Sequence, residues 1–318
     1  MRELAQPRVI HRRRAPVGRG DAVYPAYWVA AALLLAATAL RVPLGQPAAI
    51  AAMTILFIGG GLPHGAYDIA LLRRIVSVDR SRLAVTVGGY AAIAVLTAML
   101  WMAFPLVALV LFLTVAAVHF GEDWQMLDEP LLRSAAGAAV IAAPTIGHQA
   151  DVSMLFVEMS DARASVIAQI ITAAAPVTLL VTAVGIAVSW RDGSRHWAAA
   201  MALCLLLLMI LPPVAGFALF FVFLHSPRHL AQTRVILRDM TQARWLMTGA
   251  ALSGSAILGW WVLHRLGSSR IDQNMVAQAF QLLASVAVPH LLLSRWLEDR
   301  LHRPESPNPM PSRVETAP

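Results

Sequence analysis

Apolar runs long enough to cross a bilayer recur along almost the whole chain, and they constrain its fold more than any other feature. A transmembrane helix needs about 20 predominantly apolar residues. Such runs lie near residues 23–42, 49–72, 83–103, 105–121, 131–147, 164–189, 196–211, 213–233, 244–264 and 273–295. The expected fold is therefore all-α: a polytopic transmembrane helical bundle of about 8–10 spans. The fifth run is rich in small residues and only weakly apolar. Pro212 and Pro213 either separate two helices or bend one long one. The spans form one transmembrane domain over 23–296, between an arginine-rich N-terminal arm (1–22) and a polar, proline-rich tail (297–318) of disordered composition.

Composition agrees. Of the 318 residues, 58% are hydrophobic and 14% charged, against roughly a quarter charged in a soluble domain. Every basic residue is arginine; the chain has no lysine. The net charge of +7 does not indicate nucleic acid, because the arginines cluster between apolar runs, where topology determinants belong. With a cytoplasmic N-terminus, the inner turns hold Arg73, Arg74, Arg80 and Arg82, then Arg133, Arg191, Arg195, Arg228, Arg234, Arg238, Arg244, Arg295, Arg300 and Arg303. The outer turns hold only Arg41, Arg163, Arg265 and Arg270. That asymmetry predicts a multi-pass protein of the cell (inner) membrane with both termini cytoplasmic. The basic start is not a signal peptide, since the apolar run after it exceeds the about 7–15 residues of such a segment. Cys204, the single cysteine, reads as a small apolar side chain.

Against this background the ionisable residues inside the apolar runs are the functional candidates, because they are costly in lipid. Leu62–Leu72 reads LPHGAYDIALL, with His64 and Asp68 four residues apart. His119 heads HFGED, with Asp123 again four residues on. His225 and His229 form HSPRH, and His290 follows Pro289. These five histidines fall on spans two, four, eight and ten, all running outward to inward, and all land in the cytoplasmic half of the bilayer. His64 lies deepest, eight residues or about 12 Å before the end of its span.

Neutral imidazole suits iron, copper, zinc and nickel, so the expectation is one metal ion held by His64, His119, His225 and His229. His290 is a fifth ligand, a group behind the ligands or a packing residue. His225 and His229 share a helical face, with Pro227 loosening the turn between them. Asp68 and Asp123 either orient a metal-bound ring through its other nitrogen or partner buried donors such as Arg228. Direct ligation by a carboxylate is the third reading. Gly59, Gly60 and Gly61 either admit a close helix neighbour or break their span. Tyr67, Phe120, Trp124 and Phe221 are candidates for lining a substrate tunnel, or pack as ordinary core. His148 falls in an outward loop and receives no role.

At PHGAYD (63–68), HFGED (119–123), HSPRH (225–229) and PH (289–290) the chain resembles the Brp/Blh family of bacterial and archaeal β-carotene 15,15'-dioxygenases, over roughly residues 50–296. The resemblance implies an integral-membrane enzyme dependent on ferrous iron, Fe(2+), that cleaves β-carotene with O2 into two retinal molecules. It also implies a functional link to a retinal-binding rhodopsin. The family's iron-binding histidines map onto His64, His119, His225 and His229.

Other functions fit the residues less well. A rhodopsin needs a lysine for its Schiff base. A two-iron lipid or carotenoid hydroxylase-desaturase needs more close histidine pairs than HSPRH. An intramembrane zinc protease needs HExxH. A transporter or metal-ion carrier, the strongest rival outside the enzymes, needs ionisable residues along a path across the membrane, whereas these gather on one side.

Overall fold

The computed structural model describes residues 23–75, 79–124, 127, 129–266 and 274–302, without the side chains of His64, Ile75, Arg80, Leu266 and residues 297–302. The N-terminal arm and residues 303–318 lie outside the described residues. Within them the chain forms ten helical rods. These are α1 (Pro25–Ala39), α2 and α3 (Pro47–Gly61 and Asp68–Ile75) as one interrupted rod, α4 (Arg80–Ala103), α5 (Pro105–Gly121), α6 (Pro130–Met159), α7 (Ala164–Arg191), α8 (Arg195–Ile210), α9 and α10 (Pro213–Phe220 and Ser226–Ile236) as a second interrupted rod, α11 (Gln242–Leu266) and α12 (Met275–His302). No strand occurs among the described residues. Eight rods are long and apolar enough to cross a membrane, and α1 and α8 are shorter apolar helices. The protein is thus a polytopic, all-α, multi-pass membrane protein.

Helix ends follow the prolines. Pro25, Pro47, Pro105, Pro130 and Pro213 each open a helix, where the missing N–H costs nothing because no acceptor lies one turn back. Pro212 and Pro213 accordingly separate α8 from α9. α1 and α8 span only 15 and 16 residues, short of the about 20 needed to cross alone. The Tyr27 hydroxyl of α1 donates to the Ala200 carbonyl of α8 at 2.7 Å, which joins the two.

The fifth span departs from its expected end. α6 does not stop at 147 but runs on to Met159, with non-helical backbone at His148. His148 is therefore inside a kinked helix, not in a loop. Its Nε2 lies 3.0 Å from the Ile210 carbonyl and its Nδ1 3.2 Å from Asp151, so the ring ties the kink to the end of α8. α12 likewise continues through 297 to His302.

Two close approaches fix the site's scaffold. A Cβ at Gly137 of α6 would overlap the Ala117 carbonyl of α5, and a Cβ at Gly61 would overlap the Phe221 ring. Glycine lets the α5 and α6 backbones touch at 137 and makes room for the Phe221 ring at 61, and small residues of this kind let helices associate closely in lipid. Gly59, Gly60 and Gly61 stay helical; the break falls after them, at a 3-10 segment over Leu62–Tyr67.

Candidate metal centre

The site is assembled where three rods leave regular α geometry. In the α9–α10 rod, Phe221–His225 forms a π turn. Pro227 lacks the N–H that would bond one turn back, so the ladder there widens; such π turns often mark functional positions. The widening turns His225 toward α5 while keeping His229 nearby, with ring centroids 4.5 Å apart. At the end of α5, Glu122–Trp124 tightens to 3-10 geometry, and His119, Glu122 and Asp123 crowd the same corner. In the α2–α3 rod the 3-10 segment carries His64 and leads into Asp68.

His119 and His225 face each other with their Nε2 atoms 3.1 Å apart. With His229 they present ligand atoms that all lie within 4.8 Å of one another. Imidazole nitrogens sit at about 2.0–2.1 Å from a divalent ion such as zinc, so two neighbouring ligands on one ion come within about 3 Å of each other. The 3.1 Å separation of His119 and His225 meets that demand, and His229 stands close enough to join them. The His290 ring lies 5.4 Å from that of His119, at the edge of the cluster.

Behind these rings stand carboxylates. Glu122 Oε2 is 2.9 Å from His119 Nδ1, Asp123 Oδ2 is 2.8 Å from His225 Nδ1, and Asp68 Oδ2 is 2.8 Å from His290 Nδ1. A carboxylate only accepts, so each Nδ1 carries the proton and donates. The Nε2 lone pair then points inward, the tautomer that a metal requires. Asp123 is itself held: Arg228 Nη1 donates to its backbone carbonyl at 2.6 Å, and that guanidinium lies 4.7 Å from the Trp197 ring centroid. Asp123 Oδ1 is also 3.7 Å from His229 Nε2. The Tyr90 hydroxyl of α4 donates to Asp68 Oδ2 at 3.0 Å.

The centre is dry. His225 and Asp123 are fully buried, at 0% and 1% exposure. Phe120, Phe220 and Phe221 surround the His225 ring, with Phe221 stacked on it at 14°. A pocket of about 30 Å³ lined by His119, Phe120, Phe221 and His290 lies against the cluster.

The residues named from sequence thus distribute as follows. His119, His225 and His229 converge, and His290 joins their edge through Asp68. His64 lies outside the described side chains; its neighbour Gly65 backs onto His290, where a Cβ would sit 3.5 Å from Nδ1. Phe120 and Phe221 border the pocket. Trp124 is fully buried and not among that pocket's lining. Tyr67 stacks on Trp245 of α11 at 3.8 Å and donates to its carbonyl, which anchors the 3-10 segment. Sequence reasoning passed over Glu122 and Tyr90. Glu122 stands three residues after His119, a helical spacing that signals contact. Tyr90 is 22 residues from Asp68, and no pattern links them.

An all-α, multi-pass membrane protein with a buried histidine–carboxylate cluster is the class that this fold and site define. The family described as Beta-carotene 15,15'-dioxygenase matches residues 52–298, and the chain belongs to that family of carotenoid dioxygenases. It is 27% identical over 267 residues to the Beta-carotene 15,15'-dioxygenase of an uncultured marine bacterium, 66A03, covering 79% of this chain and 93% of that relative. No solved structure matches it.

Proposed function

We propose that this protein uses ferrous iron and O2 to cleave β-carotene at its central 15,15' double bond, giving two molecules of retinal. Family membership supports the substrate and the reaction. The observation that supports a metal is the convergence of His119, His225 and His229 with the carboxylates behind them. His64, His119, His225 and His229 would hold the iron, with His290 beside them. Bound iron would supply the electrons that activate O2.

The protein's own contribution is placement. Glu122 and Asp123 fix the protons on His119 and His225 at Nδ1 and keep Nε2 free to ligate. The phenylalanines shield the His225 side of the centre from water. A hydrocarbon offers no hydrogen bonds to read, so the bond that is cut must be chosen by the length and shape of the surrounding space. In balance, one C=C bond is replaced by two C=O bonds, and the two oxygen atoms of O2 account for both aldehydes. The lipid bilayer delivers the substrate, which dissolves there. The product suits a separate retinal-binding rhodopsin, since this chain lacks the lysine to hold retinal itself. We place the protein in the cell (inner) membrane with both termini cytoplasmic, on the arginine asymmetry.

Purified protein reconstituted with iron and given β-carotene under air tests the reading. Retinal is the expected product. No cleavage by an iron-loaded, folded sample would refute it.

A further inference from the structure

Beside the histidine centre lies a larger space. A cavity of about 320 Å³ runs between α4, α11, α12 and the 3-10 segment, within the range of about 300–1,000 Å³ typical of small-molecule sites. Leu62, Gly65 and Val286 line both this cavity and the small pocket against His119 and His290, so the two spaces share a wall at Gly65. We infer that this cleft seats one arm of the linear hydrocarbon substrate and admits it sideways from the lipid. The inference rests on the function proposed above.

Four features carry it. The inner end touches the centre: Asp68, which accepts from His290, and Tyr90, which donates to Asp68, both line the cleft. One wall is closed by Leu62, Ala98, Trp260 and Leu282, which pack together. From Tyr90 to Ala98 is eight residues of α4, about 12 Å at 1.5 Å per residue, so the space is elongated along the helix axes. The mouth is open between α4 and α11, where Ala91, Val95, Ser255 and Gly259 are exposed at mid-helix. A Cβ at Gly259 would meet no protein atom within 4 Å, so no packing contact requires glycine there.

The walls suit a hydrocarbon. The hydroxyls of Ser255 and Ser285 donate to carbonyls of their own helices at 2.9 and 2.8 Å, and Tyr90 is engaged by Asp68. Of the hydroxyls lining the cleft, only that of Ser253 has no protein partner among the described residues. Such a surface gives little to an ionic or strongly polar ligand and much to a conjugated chain. The pocket at the histidines adds only about 30 Å³, too little for the second arm. That arm must displace the aromatic side chains beyond, around Phe112 and Phe221.

The test fills the cleft without touching the centre. Iron-loaded wild type, Ala94→Trp and Gly259→Leu are exposed to β-carotene without O2, and retained pigment and bound iron are measured. Val107→Trp, lipid-exposed on α5 and away from the cleft, is the control. Ala94→Trp and Gly259→Leu are expected to retain at least tenfold less β-carotene at unchanged iron content, with the control at wild-type level. Gly259→Leu faces open space and guards against a folding defect in Ala94→Trp. Wild-type retention in both filled variants would overturn the inference, and so would equal loss in the control. Admitting O2 then separates the two readings. If wild type binds β-carotene in the cleft but yields no retinal, the proposed reaction fails and the cleft stands. If retinal forms while the filled variants bind normally, the reaction stands and the cleft assignment fails.

Discussion

Replacing Asp123 by asparagine isolates the charge behind His225 while keeping the side chain's size. In the native protein Asp123 Oδ2 accepts from His225 Nδ1 at 2.8 Å, Oδ1 lies 3.7 Å from His229 Nε2, and the group is fully buried. One carboxylate therefore faces two of the proposed ligands. The amide retains an acceptor for His225 but loses the negative charge that raises ring basicity, and its NH2 group then faces His229. Loss of such an outer partner costs about 10–100-fold in metal affinity, or about 1.4–2.8 kcal/mol at about 1.4 kcal/mol per factor of ten. Glu122→Gln makes the same chemical change at His119, but that side chain is 23% exposed and also lies 3.7 Å from the Arg295 guanidinium. It should fall at or below the low end of the range. Competition of each purified variant against a chelator of known ferrous-ion affinity gives the numbers. Iron binding at wild-type strength in Asp123→Asn, or a larger loss in Glu122→Gln than in Asp123→Asn, would refute the role assigned to these carboxylates.

Further outcomes follow from the same geometry. His225→Ala and His229→Ala should each abolish iron binding and turnover in protein that still inserts normally; metal analysis beside a membrane-fractionation control checks this. Gly137→Val should force α5 and α6 apart, at a cost of about 1–3 kcal/mol or more, seen as a lower midpoint in thermal unfolding followed by size-exclusion chromatography. Reporter fusions at the two ends should both report cytoplasm; ends on opposite faces would remove a span from the count and undo the shared depth of the histidines.

The architecture was legible because lipid imposes one simple demand, length of apolar run, and proline marks where a helix begins. The ten runs became ten rods for that reason. α6 escaped because its second half, from His148 to Met159, mixes polar residues into a helix that is tied to α8 at His148 and bonded by Gln281 of α12 at Met159. The histidines stood out because each is an ionisable group in an apolar segment. Their partners did not. Asp68 reaches His290, 222 residues away, and Asp123 reaches His225, 102 residues away; pairings of that range are made by helix packing, which sequence spacing does not encode. The π turn at Phe221–His225 was visible only as Pro227, a missing donor whose consequence lies in the turn before it. The cleft between α4 and α11 is defined by an absence of packing, and residues such as Gly259 look the same in sequence whether they meet a neighbour or open space.

The central claim is tested most directly by product analysis. Purified, iron-loaded protein is supplied with β-carotene in micelles and isotopically labelled O2, and the products are separated and weighed by mass spectrometry. Retinal as the dominant product, carrying label in its aldehyde and absent without O2 or without iron, is the predicted result. A dominant apocarotenal longer than retinal, or retinal formed at the same rate by iron-free protein, would contradict it.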